Sequence, residues 1–304
     1  MSRFADGLGL LFRVVLVVFV FVLIQLAFIY GFTVIGIDTG IYEGLFTVLY
    51  CTVVIVVFSF YLRARSRKKE HFLMLSKPDK YSVFSALVIA FGLLGLVTLY
   101  MYAATLISMR FQTVQEEMVH YSDSVDRFSD VDTALVPYWD TILDFIASVI
   151  LVPLSEELVF RGAVFGELRL KIKPVVAAML SALIFGLLHG ISIHIGYAFI
   201  CGIVLAMVYH FSGSIWISFI VHAVFNLMGS SLFTLLDSGI FGNLNEASAM
   251  SAYYSSYFEI VCIIPGIAGF LLLYVLYRER RKNETCKSED EKISEDTAVG
   301  EASL

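Results

Sequence analysis

Long apolar blocks separated by short polar clusters divide this chain into eight stretches near the length needed to cross a hydrocarbon core. They fall at roughly 9–31, 41–62, 82–108, 138–160, 175–192, 196–211, 214–234 and 256–277. The sixth is short, which leaves seven as the other count. The pattern predicts an all-α fold, a polytopic membrane helical bundle of about eight transmembrane helices. The first block follows a basic residue but runs past signal-peptide length without a small-x-small cleavage site, so it is expected to be a retained helix. Three regions follow from the same reading. Residues 1–137 hold helices one to three and an acidic outer loop, 138–282 hold the core with the unusual polar residues, and 283–304 form a polar, acidic tail expected to be disordered.

Composition supports a membrane protein and excludes an ordinary soluble domain. The 304 residues are 59% hydrophobic and 16% charged, with a mean hydropathy of +0.83, whereas soluble domains run near half apolar and a quarter charged. Orientation follows from Lys and Arg. With the amino terminus inside, the inner loops hold Arg63, Arg65, Arg67, Lys68, Lys69, Lys77 and Lys80, then Arg169, Lys171 and Lys173, then Arg278, Arg280, Arg281 and Lys282. The outer loops hold only Arg110 and Arg127. Both termini are therefore expected in the cytoplasm of a multi-pass cell-membrane protein, which requires an even number of crossings and favours eight. The outer loop 111–137 carries Glu116, Glu117, Asp123, Asp126, Asp130 and Asp132, but acids are weak topology signals. The lipid bilayer is the expected environment, and no nucleic-acid partner is expected.

Several ionisable side chains interrupt the apolar blocks. Glu156, Glu157 and Arg161 lie in the run Ser155-Glu156-Glu157-Leu158-Val159-Phe160-Arg161, and later blocks carry His189, then His222 with Asn226. Charges at bilayer depth cost about 2.5 kcal/mol or more each on insertion scales, so they mark functional candidates. Glu157 and Arg161 stand at i and i+4 with the acid first, the favourable order for a helical ion pair, while Glu156 is rotated about 100° away and stays free. Pro153 should kink the helix just before the acids. Glu156 and His189 straddle the basic turn before Pro174 symmetrically, which places them at matching depth in an antiparallel hairpin, about 25 Å of helix from the turn. Ala182, Gly186 and Gly190 recur every four residues as a stripe for close helix approach, with Phe185 and His189 on the adjoining face. His222 and Asn226 share a face of a later helix, yet straight helices would leave His222 roughly 9 Å nearer the cytoplasm than Glu156. Tilt or a deep turn near Ser212 to Ser214 must absorb that offset.

Each piece also has a structural reading. Glu157 with Arg161 fits a buried ion pair that locks a helix, and His189 fits an interhelical hydrogen bonder. His222 with Asn226 fits polar glue between helices. His194 and His210 sit at predicted helix ends and His71 and His120 in loops, all as ordinary polar residues. The joint occurrence of the others favours function. Cys51, Cys201, Cys262 and Cys286 are scattered without CxxC spacing, so neither a disulfide framework nor a thiolate metal site is implied.

The set Glu-Glu-x-x-x-Arg at Glu156, Glu157 and Arg161, Phe-x-x-x-His at Phe185 and His189, and His-x-x-x-Asn at His222 and Asn226 resembles the CPBP intramembrane proteases. That group contains the type II CAAX prenyl endopeptidase and bacterial self-immunity and bacteriocin-processing relatives. Phe160-Arg161-Gly162 and Gly213-Ser214-Ile215-Trp216 also look like that family, and the resemblance covers roughly residues 140–230. It implies hydrolysis of a peptide bond in a membrane-associated protein or peptide, prenylated or not, in a cavity usually open to the cytoplasm. Glu156 would activate water, His189 would help hold it, His222 and Asn226 would stabilise the oxyanion, and Glu157 with Arg161 would shape and polarise the site. General-base and oxyanion chemistry suit such residues.

No cofactor is required by this scheme. The alternative is a Zn ion held by Glu156, His189 and His222, although there is no HExxH and Asn226 beside His222 looks more like a hydrogen-bonding pair. A serine mechanism at Ser155 lacks a His-Asp pair on its helix. Two other classes remain: a non-cleaving immunity or peptide-binding membrane protein of the same fold, and a transporter, which predicts repeated halves that the sequence does not show.

Overall fold

The computed structural model describes residues 2–70, 72–129, 135–190, 192–232 and 256–302. It is a helical membrane bundle. The helices are α1 (Ser2–Ile35), α2 (Glu43–Ser66), α3 (Lys80–Ser108) and α4 (Gln112–Ser129), then a composite α5 over 138–169. They continue with α6 (Pro174–Leu187), α7 (Ser192–Ser212), α8 (Ile215–Asn226, prolonged by a wide turn Leu227–Ser231) and α9 (Ile263–Ala302). Five segments are long and apolar enough to cross a membrane: Asp6–Ile35, Glu43–Ser66, Lys80–Ser108, Ser192–Ser212 and Ser256–Asn283. α5, over 138–169, is broken into short pieces by the turns described below.

The short elements differ from those expected. The sixth apolar block is a full helix of 21 residues, because Ser192 to Tyr197 join it. α6 instead has only 14 residues, about 21 Å of helix against a hydrocarbon core of about 30 Å. It stops where Gly190 takes a left-handed φ of +80°. Gly190 therefore turns the chain and is not part of a packing stripe, and a Cβ there would meet nothing. The stripe itself is real at Ala182 and Gly186: a Cβ on Gly186 would lie 2.9 Å from the Ile195 carbonyl, and one on Gly202 would lie 2.8 Å from the Ala182 Cβ.

Two polar segments are helical. Much of the outer loop is the helix α4, which bears His120; a polar run free of Gly and Pro has nothing to stop it, and Gln112 donates to Glu116 one turn on, at 3.0 Å. α9 runs on to Ala302 through a Glu- and Lys-rich sequence that no proline interrupts. His71, Asp130 and Asp132 lie outside the described residues.

Two apolar cores meet around α7. One gathers α1, α2, α5 and α6 about Phe58, Phe160, Phe165 and Tyr209. The other gathers α3, α7, α8 and α9 about Leu93, Leu205, Ile217 and Leu273. α3 and α9 approach so closely that a Cβ on Gly92 would lie 2.6 Å from the Gly266 Cα.

Polar ties close both ends. At the end bearing the basic loops, Glu167 of α5 is 1% exposed and pairs with Arg13 of α1 at 2.9 Å and Arg65 of α2 at 2.5 Å. Tyr61 donates to the same carboxylate at 2.8 Å. Nearby, the α7–α8 turn lies beneath the segment after residue 71. Ser76 N–H donates to Gly213 O at 3.0 Å and Ile215 N–H to Met74 O at 3.1 Å. Arg280 of α9 donates to the Ser212 and Phe211 carbonyls at 2.7 Å each, satisfying the last turn of α7. This buried turn is the deep one required to bring His222 level with the acids.

At the opposite end Asp140, 1% exposed, accepts from the backbone N–H groups of Gly44 and Leu45 at 2.9 Å each and so caps α2 from α5. Gly44 has no room for a side chain, since its Cβ would sit 2.5 Å from Asp144 N. Asp140→Ala should lower stability by about 1–2 kcal/mol through the lost cap. Thermal unfolding in detergent is expected to show Asp140→Asn falling between the two.

Candidate active site

The acids sit where α5 departs from regular α geometry. Pro153 brings no N–H, and wide π-helical turns flank it at Ala147–Leu151 and Glu157–Phe165. In place of one sharp kink, the distortion is spread over these turns. In i→i+5 pairing the Ser148 carbonyl would face residue 153, a proline. Left without that donor, it accepts from Asn226 Nδ2 of α8 at 3.0 Å. Asn226 thus spends one amide hydrogen on α5 and retains the other.

The two neighbouring glutamates point into different surroundings. Glu157 is fully buried, and every contact it makes is with a donor: Arg161 Nη1 lies 3.2 Å from Oε1, His222 Nδ1 lies 3.0 Å from the same oxygen, and the Ser218 hydroxyl donates to Oε2. Arg161 in turn lies over the Phe185 ring at 4.7 Å. Its Nη1 and Nη2 make no hydrogen bond of good geometry among the described residues. The Glu157 charge and the ring face therefore hold this guanidinium.

Glu156 faces the cavity, its side chain 16% exposed, with Oε2 3.5 Å from His222 Nε2. Because a carboxylate only accepts, His222 presents Nδ1–H to Glu157 and turns Nε2 toward Glu156 and the cavity. His189 lies just beyond the last turn of α6, where its N–H donates to Gly186 O at 2.9 Å. Its Nδ1 lies 2.8 Å from Phe185 O, an acceptor that requires the Nδ1–H tautomer and leaves Nε2 for the cavity. The Phe185 ring separates the two imidazoles, 4.5 Å from His189 and 6.3 Å from His222.

A cavity of about 370 Å³ joins these groups; Glu156, His189, His222 and Asn226 line it together with Asp144 and His194. Glu157 and Arg161 stand behind its wall. The structure thus brings together all six residues singled out from the sequence, four at the surface of the cavity and two supporting them.

Several contributors escaped the sequence reading. Ser218 was not named, although Ser218, His222 and Asn226 recur every four residues on one helix face. Asp140, Asp144 and Ser148 form the equivalent stripe on α5. His194, expected to be an ordinary interfacial residue, packs against His189 with ring centroids 4.7 Å apart and stacks on Tyr197 at 4.5 Å. No local signal distinguishes it, since only the turn at Gly190 folds α7 back against His189.

Among the described residues no three His, Cys, Asp or Glu side chains converge closely enough to hold a metal ion. What the groups can do is hold a water beside a carboxylate and present imidazole and amide donors to an oxygen.

Residues 138–228 match the family described as type II CAAX prenyl endopeptidase Rce1-like. The chain is 28% identical over 134 residues, 44% of its length and 55% of the relative's, to the "Putative membrane peptidase YdiL" of Bacillus subtilis (strain 168). It is 39% identical over 90 residues, 29% of its length and 49% of the relative's, to the "UPF0177 protein YxdF" of Lactococcus lactis subsp. lactis (strain IL1403). The chain therefore spans about half the length of these curated relatives. No solved structure matches it. The matched segment contains all six of the clustered residues, so the similarity to this family falls on the cavity and the side chains that support it.

Proposed function

We propose that the chain is an intramembrane endopeptidase that hydrolyses a peptide bond of a membrane-associated protein or peptide with water activated by Glu156. The observation that carries this reading is the approach of Glu156 Oε2 to His222 Nε2, 3.5 Å apart on the wall of the cavity that His189 and Asn226 also line. Glu156 takes a proton from water as the oxygen attacks the carbonyl carbon. His222, in the imidazolium form with Nδ1–H on Glu157 and Nε2–H toward the cavity, and the spare amide hydrogen of Asn226 donate to the developing oxyanion. His189 keeps the water in place through Nε2. On collapse Glu156 passes its proton to the leaving amine, so no covalent intermediate forms and the proton count closes. Arg161 has no contact with the reacting atoms and acts as a positioning residue through Glu157.

The walls add Phe145, Phe185 and Phe225, apolar surfaces suited to the side chains of a peptide drawn into the membrane. The proposal is tested by mapping peptide termini in membranes containing the active chain or its Glu156→Gln variant. A terminus in a membrane-anchored polypeptide that appears only with the active chain is the expected result, and it identifies the bond. Identical termini would contradict hydrolysis and leave a non-cleaving binding protein of the same fold. Adding a chelator to the purified chain should leave turnover unchanged, whereas a loss restored by Zn would overturn the metal-free scheme.

A further inference from the structure

Three imidazoles line the cavity, and the protein commits only two of them. His189 gives Nδ1–H to the Phe185 carbonyl, and His222 gives Nδ1–H to Glu157. His194 makes no hydrogen bond through either ring nitrogen among the described residues. It is nonetheless half-buried and fronts the same cavity.

The packing around His194 explains where the ring sits but not why it is a histidine. Gly190, with its left-handed φ of +80°, turns the chain from α6 into α7 and delivers the first turn of α7 to His189. A Cβ on Gly196 would collide with the Tyr100 hydroxyl, which donates to the Ile193 carbonyl at 3.1 Å. α3 thereby clamps the start of α7. Tyr197 lies nearly parallel to His194, with ring centroids 4.5 Å apart and 23° between planes, and its side chain hydrogen-bonds to Tyr121 of α4. His194 in turn meets His189 edge to face at 4.7 Å. A phenylalanine would fill this row of rings equally well without taking two nitrogens out of bulk water. Ring nitrogens with no protein partner are met by what the cavity holds, water or a ligand.

The substrate of the proposed reaction has a matching need. A peptide drawn from water into the cavity loses affinity for each backbone N–H or C=O that it leaves unbonded. A sheet edge can supply such partners, but the described residues hold only the isolated bridge of Leu75 with Ser214, neither of which lines the cavity. Side chains must supply them here. Asn226 already gives one hydrogen to the Ser148 carbonyl, and Glu156, His189 and His222 act on the reacting atoms in the proposed reaction. A neutral imidazole offers one donor and one acceptor, exchangeable between its nitrogens, so His194 can take either a C=O or an N–H.

We infer that His194 is a substrate-binding residue whose uncommitted imidazole edge takes one backbone amide of the peptide beside the bond that is cut. The 4.7 Å contact with His189, set against about 3.5 Å per residue of extended chain, puts that amide one or two residues from the scissile bond. That the bound group is a peptide rests on the endopeptidase reading. The free imidazole edge in the cavity does not.

Nitrogen NMR of the full chain, labelled at histidine and held in lipid nanodiscs at mildly alkaline pH, tests this without requiring turnover. His189 should show a single Nδ1–H tautomer and His194 an average of two. Acetylphenylalanine methylamide, a blocked residue with two peptide groups, should draw the His194 signals toward one tautomer. His194→Phe should keep the unfolding temperature and the His189 tautomer while weakening probe binding, read at His189, about tenfold. His194→Gln, which keeps a donor and an acceptor, should recover part of that loss. His194 signals that ignore the probe, a Phe variant that binds it as the unaltered chain does, or a Gln variant no tighter than the Phe one each overturn the inference. Should His194→Phe fail to accumulate, the unaltered chain and His194→Gln decide by the same signals. Absence of peptide cleavage while His194 responds to the probe would count against the endopeptidase reading alone.

Discussion

Glu156→Gln should remove peptide cleavage while leaving the fold and peptide binding in place, with turnover falling roughly 100- to 10,000-fold, the range of a lost general base. The carboxamide keeps the size of the side chain but neither accepts the proton of water nor returns it to the leaving amine. Stability should hardly change, because Glu156 lies on the cavity wall and makes no ion pair with Arg161. Turnover by purified chain in liposomes, measured beside thermal unfolding, checks both halves. A variant that cuts at the original rate would end the claim that this carboxylate activates water.

Arg161→Met should behave differently, losing both stability and turnover. It leaves the fully buried Glu157 with only His222 and Ser218 as partners, and breaking a buried pair from one side costs about 3–5 kcal/mol. With Glu157 displaced, the His222 ring loses the contact that turns Nε2 toward the cavity. Arg161→Lys should fall between the two, since the ammonium restores the charge but not the flat stacking on Phe185. The double variant Glu157→Gln/Arg161→Met should recover much of the stability, because no uncompensated charge remains, yet not the turnover. Recovery of turnover as well would show that the pair serves the fold alone.

Much of this site was legible in the sequence because membrane burial makes polar residues conspicuous. Glu156, Glu157, Arg161, His189, His222 and Asn226 stand out against apolar surroundings, and helical spacing alone separates Glu157, paired with Arg161, from Glu156, turned away from it. The helical bundle was legible for the same reason. What spacing could not supply were departures from ideal helices. Pro153 suggested a kink, but not that wide turns would leave the Ser148 carbonyl for Asn226. Gly190 continued a small-residue stripe in sequence, whereas its positive φ ends α6 and swings His194 against His189. Asp140 and Glu167 look like ordinary interfacial charges until tertiary packing brings Gly44 and Arg65 to them. The depth of His222 depended on the α7–α8 turn, whose cover comes from a segment more than a hundred residues away in sequence.

The most direct test is the structure of the chain with a phosphinate analogue of its substrate peptide, the tetrahedral group replacing the scissile bond. The account predicts one phosphinate oxygen against Glu156 and the other within hydrogen-bond reach of His222 Nε2 and Asn226 Nδ2. A phosphinate bound away from Glu156, or one whose oxygens meet neither His222 nor Asn226, would contradict it.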